Sequence, residues 1–130
     1  MTDFSSALSV AASGMRAQAA RIGHVSENIA NADTPGYRRK LTSFEVMRGP
    51  DAPAGAVQPG RVMLDRSELP RLFDPDHPMA DADGHYLGSN VDLVVELADA
   101  REAQRSYEAN LRVFDQVRQM SSALNDLLRR

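Results

Sequence analysis

The sequence predicts a mainly α protein, in which long N- and C-terminal helices pack as an antiparallel coiled coil. The middle segment is irregular or forms short strands. Three observations support this fold class. Apolar residues recur in steps of three and four near the N-terminus, and they do so again near the C-terminus. All seven prolines lie between these two regions. The predicted units are residues 1–36, a coiled-coil helix with its turn, residues 37–89, the middle segment, and residues 90–130, the second coiled-coil helix.

The composition favours an elongated helical chain over a compact globule. The 130 residues include no Trp and only four Phe and three Tyr, and the abundant Ala buries little area per residue. Cys is absent, which excludes a disulfide framework and a thiolate metal site. No signal peptide is predicted, because the N-terminus lacks a basic region followed by an apolar run. No apolar run approaches the roughly 20 residues of a membrane span.

The first helix is predicted over residues 4–30, where a heptad repeat keeps one face towards a partner helix. At about 1.5 Å per residue, this helix would be roughly 40 Å long. We expect its packing seam to include Leu8, Met15, Ile22 and Ile29. The whole stripe consists of Phe4, Leu8, Ala11, Met15, Gln18, Ile22, Val25 and Ile29.

The stretch "NIANADTPGYRRK" ends this helix. Pro35 disfavours the helical conformation at Thr34. Residues Thr34 to Tyr37 match a type II turn, with Gly36 at the position that needs a positive φ.

Two asparagines precede this turn, and an ordinary helix end does not require them. The amides of Asn28 and Asn31 can satisfy the last carbonyls of the helix or bind a neighbouring helix. Tyr37 can then pack back against the helix.

The middle segment shows weaker patterns. The stretches "KLTSFEVM" and "RVMLD" predict short strands. Residues 49–60 have three prolines, three glycines and no periodicity, so a mobile loop is predicted there. Residues 69–89 are rich in turn-forming residues.

The second helix is predicted to begin near Asn90 as its N-cap, with Asp92 in the first turn. No Pro or Gly occurs from residue 89 to 130, so the helix can run to the end of the chain. Each seam is broader than one partner needs, and we expect other copies or other proteins to bury the rest. The heptad frame is Ala100, Ala103, Tyr107, Asn110, Phe114, Val117, Ser121, Leu124 and Leu128.

A net charge of −3 argues against a general nucleic-acid binder. Arg38, Arg39 and Lys40 follow the turn and are the best candidates for phosphate contacts. A run this short more often lies in solvent or forms salt bridges between subunits. These residues define an alternative function, a small helical adaptor that binds nucleic acid or membrane phosphates.

No catalytic, cofactor or metal site is predicted. No nucleophile elbow or Gly-rich phosphate loop occurs, and the three His have no ligand spacing. Asp81, Asp83 and Gly84 can be aligned to a calcium loop, but Met79 and Asn90 then occupy two essential ligand positions. An enzyme that digests the cell wall is a distant third interpretation.

Two longer segments resemble the bacterial flagellar axial proteins of the rod and hook. "SGMRAQAARIGHVSENIANADTPGYRRK" has the Asn-x-Ala-Asn helix end followed by Thr-Pro-Gly-aromatic, and "SNVDLVVELADAREAQRSYEANLRVFDQVRQM" resembles their closing helix. The short chain and "HPMADADGHYLGSNVD" point to a proximal-rod member. The resemblance is weakest over residues 49–72. Ser89 stands where the family pattern has Pro.

The resemblance implies a structural, non-enzymatic subunit of the flagellar basal body. Its terminal helices would polymerise into a periplasm-spanning drive shaft that transmits torque and encloses the export channel. Export would use the flagellar type III apparatus, without a cleaved signal peptide. The implied partners are copies of itself, other proximal and distal rod subunits, a rod-base adaptor and the export apparatus, with no nucleic acid and no small-molecule substrate.

The resemblance also implies which residues matter for assembly. The turn that joins the inner helix to the outer segment would consist of Asn28, Asn31, Thr34, Pro35, Gly36 and Tyr37. The matching motif of the returning helix would be Asn90, Val91, Asp92, Tyr107 and Asn110. The seam of that helix would include Phe114, Val117, Leu124 and Leu128.

Overall fold

The computed structural model describes residues 2–130 and contains two long helices separated by six short strands. The fold class predicted from the sequence is therefore confirmed in its coarse form: a helix at each end and short strands in the middle. The helices are α1 (Thr2–Ala30) and α2 (Leu93–Leu128). The strands are β1 (Lys40–Leu41), β2 (Phe44–Val46), β3 (Val57–Pro59), β4 (Met63–Leu64), β5 (Arg71–Phe73) and β6 (His85–Leu87).

The two helices contact each other along most of their length. Asn28 bonds to Glu96, and Arg21 forms an ion pair with Asp99. Further along, a Cβ added at Gly14 would lie 2.9 Å from the side-chain amide of Asn110. Residue numbers therefore fall along α1 as they rise along α2, which is the order expected of an antiparallel pair.

Small side chains dominate the buried part of the helix pair. Ala11, Ala17, Val25 and Ala103 are almost fully buried. Small residues let helix backbones approach closely, but each one buries little apolar area. The predicted α1 seam residues are only half-buried: Leu8, Met15, Ile22 and Ile29.

The first four strands form one long hairpin with a bulge. Leu41 pairs with Met63, whereas Phe44 pairs with Pro59. Residues 42–43, between β1 and β2, therefore face residues 60–62, between β3 and β4. One extra residue on one strand is the signature of a β-bulge, which bends the hairpin.

This bulged hairpin lies against α1. The Val57 N–H donates to Ser13 Oγ at 3.1 Å, and the neighbouring Ala56 is buried. His24 Nδ1 and Thr42 Oγ1 are 2.7 Å apart. The hairpin thus covers a side of α1 that α2 does not.

Three sequence predictions need correction. The N-cap of α2 is Asp92, whose carboxylate accepts the Val94 N–H at 2.9 Å, and not Asn90. The stretch 49–60 is not entirely a loop, because β3 occupies Val57–Pro59. Strands β5 and β6 were not predicted, because each has three residues and no alternating pattern.

The turn after α1 has the predicted geometry. The Tyr37 N–H donates to the Thr34 carbonyl at 3.1 Å, and Gly36 has a φ of 74°. A left-handed φ strains any residue that carries a Cβ.

We therefore expect Gly36→Ala to lower the free energy of unfolding by about 1–2 kcal/mol. Gly23→Ala is the matched control, because a Cβ meets open space at both positions and Gly23 lies within α1. This control should raise stability by up to about 1 kcal/mol. Urea unfolding followed by circular dichroism measures both, and an unchanged or raised stability in Gly36→Ala would contradict the turn assignment.

Candidate functional site

The side chain of Asn28, in the last turn of α1, makes four hydrogen bonds. Its Nδ2 donates to the Lys40 carbonyl at 3.0 Å and to Glu96 Oε2 at 3.2 Å. Its Oδ1 accepts from the Lys40 N–H at 2.8 Å and from the Tyr37 hydroxyl at 2.9 Å. Two donors and two lone pairs are the full capacity of an amide. One buried side chain thus connects α1, the turn, β1 and α2.

Glu96 is a fully buried acid in the first turn of α2. Its side chain is 0% exposed, and its Oε1 accepts from Arg39 Nε at 2.6 Å. The Arg39 guanidinium also lies 3.6 Å from Asp65 and 3.4 Å from Asp99. A buried carboxylate is tolerated only when it is paired and hydrogen-bonded. Arg39 and Asn28 supply those partners.

Asn90 binds the start of the returning chain to the same place. Its Oδ1 accepts the Arg39 N–H at 2.7 Å, and its Nδ2 donates to the Asp65 carbonyl at 2.9 Å. Its own N–H donates to the Tyr37 carbonyl at 3.3 Å. We call the connected set of side chains the buried joint, which consists of Asn28, Tyr37, Arg39, Asn90 and Glu96.

The turn is also bonded to the second hairpin, in which β5 and β6 pair antiparallel. The Gly36 N–H points at the carbonyls of Leu87 and Gly88, at 3.1 and 3.3 Å. The Ser89 hydroxyl donates to the Ala32 carbonyl, just past the end of α1. A proline at position 89 has no hydroxyl and could not form this bond.

Asn31 and Thr34 stabilise the helix end locally. The Asn31 Nδ2 donates to the Glu27 carbonyl at 2.9 Å, and its Oδ1 accepts from the Thr34 hydroxyl at 3.1 Å. Both bonds stay within the α1 end and its turn. These two residues therefore shape the turn, while Asn28 connects it to the rest of the molecule.

Burial and charge shift the pKa values of the groups around the joint. Burial raises the pKa of the Tyr37 hydroxyl. Burial alone would lower the pKa of Arg39, but its hydrogen bond and ion pair with Glu96 outweigh this effect and raise it. A hydrogen bond from the Ser67 N–H lowers the pKa of Asp65.

The three cations after the turn all have partners inside the chain. Arg38 donates to the carbonyls of Asp65 and Ser67, at 3.2 and 2.9 Å. Arg39 belongs to the buried joint, and Lys40 forms an ion pair with Glu27. This geometry does not favour a phosphate grip at these residues.

The structure brings only some of the predicted residues together. Asn28, Tyr37 and Asn90 meet in the joint, with Val91 half-buried beside it. Tyr107 and Asn110 lie further along α2, where the Asn110 amide donates to the Ser106 carbonyl.

The four predicted seam residues of α2 divide into two pairs. Phe114 and Val117 are half-buried. Leu124 and Leu128 are exposed.

Two joint residues were missed from the sequence. Arg39 was grouped with its cationic neighbours as a surface residue. Glu96 lies one step before Ala100 in the α2 heptad frame, so extending the frame backwards would have placed a carboxylate in the seam. A charge in a seam position is a signal that a partner exists.

Other kinds of site find no support in the structure. Among residues 2–130 no group of three His, Asp or Glu side chains could hold a metal ion. None of the helices described is long and apolar enough to cross a membrane.

Two family models match parts of the chain that contain four of the five joint residues. "Flagella basal body rod protein" matches residues 8–38, and "Flagellar basal body rod FlgEFG protein C-terminal" matches residues 82–127. The flagellar basal-body rod protein FlgC of Agrobacterium fabrum is 40% identical, over 99% of this chain and 98% of its own. The chain belongs to the FlgC family of flagellar basal-body rod proteins.

Two more distant relatives agree with this assignment. FlgC of Escherichia coli O6:H1 is 34% identical over 85% of this chain and 87% of its own. FlgC of Aquifex aeolicus is 34% identical over 88% of this chain and 89% of its own. The protein is thus a structural subunit of the basal-body rod and not an enzyme, and it assembles with other rod components. The predicted family and function class are confirmed.

The joint predicts a large effect of Asn28→Asp, which keeps the shape of the side chain. The change replaces the donor Nδ2 with an oxygen that faces the Glu96 carboxylate and the Lys40 carbonyl. We expect a loss of about 3 kcal/mol or more in the free energy of unfolding. Asn31→Asp is the control at the same helix end, where an exposed charge should change stability by no more than about 1 kcal/mol. Equal effects in the two variants would show that Asn28 is not a buried connector.

Acid should weaken the molecule through Asp65 and Glu27. Their pKa values are lowered, the first by the Ser67 N–H and the second by Lys40. The unfolded chain therefore takes up protons first as the pH falls. Their contribution is complete near neutral pH and is lost below about pH 4.

Urea unfolding between pH 7 and pH 2.5 measures this dependence. Asp65→Asn should flatten the curve on the acid side. The control Asp51→Asn removes an exposed loop carboxylate that has no bonding partner in the described part of the chain. An acid curve that Asp65→Asn leaves unchanged would contradict the role of Asp65.

Proposed function

We propose that the protein is a subunit of the proximal rod, the part of the flagellar drive shaft that crosses the periplasm. Residues 1–36 and 90–130 form the wall around the export channel, and residues 37–89 face outward. The observation that carries this proposal is an apolar stripe on α2 that the described part of the subunit leaves uncovered. Membership of the FlgC family supports the location.

Exposed large apolar side chains of the helices belong to α2 alone, within residues 3–130. The bulged hairpin and α2 cover different sides of α1, whereas α1 is the one described element with extensive contacts to α2. The exposed set on α2 is Leu93, Val94, Val95, Leu97, Leu111, Val113, Met120, Leu124, Leu127 and Leu128.

Four residues of this set form a second heptad seam together with the half-buried Val117. Val113, Val117, Met120, Leu124 and Leu127 follow one another in steps of four and three. Such spacing keeps one stripe towards a helix. Only Val117 of the five is half-buried in the isolated subunit, so the stripe is open to a helix from a neighbour.

In the assembled rod, α1 and α2 of one subunit pack as an antiparallel coiled coil, and the second seam binds a neighbouring subunit. The bound surfaces differ on the two partners, so the contact is heterologous and can propagate into a helical array. Neighbours are copies of this chain and other proximal or distal rod subunits. A rod-base adaptor contacts the end of the array.

The buried joint makes each subunit rigid. Torque that enters through the helices reaches the outer hairpins through Asn28, Glu96 and Arg39, whose side chains bond to one another at least partly shielded from water. Thr34, Pro35 and Gly36 set the direction in which the chain leaves α1. Delivery to the rod uses the flagellar type III apparatus without signal-peptide cleavage, in line with the family.

Leu124→Asp tests the second seam. Leu124 is 36% exposed in the subunit, so the change should alter the subunit's own stability by about 1 kcal/mol or less. A charge in the seam between subunits should abolish rod assembly. The measurement is swimming and basal-body yield in a strain that lacks its own copy.

Ser122→Asp is the matched control, because it adds the same charge on an exposed part of α2 about half a turn away. It should leave assembly unchanged. Normal swimming of Leu124→Asp would contradict the proposed seam.

A further inference from the structure

We propose that the acidic loop between β5 and β6 of one subunit docks on the outer face of α2 of a second copy. The proposal rests on the proposed function, since it supposes that copies of the chain are neighbours in the rod. It adds a second contact, made by the middle segment, to the contact between helices.

The outer face of α2 is apolar at its start and basic beyond. Val94, Arg101 and Arg105 lie about half a turn from the buried side chains of Glu96 and Ala103, given 3.6 residues per turn. Val94 is 76% exposed. Together with Leu97 and Ala98 these residues line an open groove.

Neither arginine of this groove is neutralised within the subunit. Arg101 and Arg105 are exposed, and the described part of the chain offers no ion pair to either. Glu102 also lines the groove, but its carboxylate lies 3.5 Å from Arg21 of α1. The groove is therefore a site with unmet positive charge beside an apolar surface.

The loop of the second hairpin has the opposite character. Residues 74–83 contain four Asp and no Lys or Arg. Asp81 is paired with Arg71, but the carboxylates of Asp76 and Asp83 accept no bond among the residues described. Next to these charges Met79 is 63% exposed.

The second hairpin does not place the carboxylates of its loop against α2 of its own subunit. Strands β5 and β6 contact each other, and the described residues show no extensive contact between them and α2. The two surfaces match in charge and each carries an exposed apolar residue, Met79 on the loop and Val94 on the groove. Because both halves of the match belong to one chain, a second copy is the occupant that fits.

Apolar anchors and charges have different roles in such a contact. Met79 against Val94 and Leu97 removes apolar surface from water, which supplies binding energy. The pairs of Asp76 and Asp83 with the arginines fix orientation and exclude wrong partners. The contact is heterologous, so it repeats from copy to copy along the array.

Disulfide trapping tests the contact directly, because the chain has no Cys. Met79→Cys and Val94→Cys are placed in one chain and expressed in a strain that lacks its own copy. Oxidation of isolated basal bodies should give a product of twice the 14.2 kDa subunit mass that contains only this chain. Each single-Cys variant should remain a monomer.

Swimming separates failure of this contact from failure of the proposed function. If the double variant swims but gives no crosslink, or a crosslink to another protein, the self-contact is wrong and the rod subunit stands. If the wild-type chain itself does not restore swimming to the deletion strain, the proposed function fails.

Charge exchange tests the same contact without cysteines. Arg101→Asp with Arg105→Asp, or Asp76→Arg with Asp83→Arg, should each lower rod yield by about fivefold or more. The four changes together should restore most of the yield. Arg48→Asp with Arg66→Asp removes the same charge from exposed positions elsewhere and should have little effect. Circular dichroism confirms that each variant folds, and a combined variant no better than either pair would overturn the proposal.

Discussion

The burial of the Glu96 carboxylate is the constraint on which the rest of the structure depends. A carboxylate without water must have hydrogen-bond donors at both oxygens. Arg39 and Asn28 provide them from two different elements. Meeting this requirement places β1 beside the end of α1 and sets α2 at one position along α1. We infer that the joint specifies the register of the helix pair, a role for which buried polar groups are known.

The helix pair needs polar contacts to set its register, because the apolar side chains buried between the helices are small. Ala11 and Ala103 are nearly fully buried, and side chains this small distinguish poorly between one alignment of the two helices and the next. The large apolar residues of α2 are left on the outside, where Met120 and Leu127 are at least half exposed. Small side chains bring the two helices close together, and the large apolar side chains of α2 then remain exposed, where a neighbouring subunit can bind. In the proposed rod, one side of α2 contributes to stability within the subunit and another side binds a neighbouring subunit.

Local patterns predicted the helices and the turn, and contacts between distant residues decided what was missed. The heptads gave α1 and α2, and Pro35 with Gly36 gave the turn, because these signals act over a few residues. Strands β5 and β6 depend on pairing across a loop and carry no pattern of their own. Asn90 has the sequence of an N-cap, but Arg39, 51 residues away, uses its side-chain oxygen.

Hydrogen exchange at the amides of Arg39 and Lys40 tests the joint most directly. The Arg39 N–H is bonded to the side chain of Asn90, and the Lys40 N–H is bonded to the side chain of Asn28. Their protection therefore reports on the joint and not on strand pairing. If the joint holds the subunit together, both amides should be protected as well as Ala103 in the centre of α2, and Asn28→Asp should expose Lys40. Fast exchange of both amides in a chain whose helices stay protected would contradict the central role of the joint.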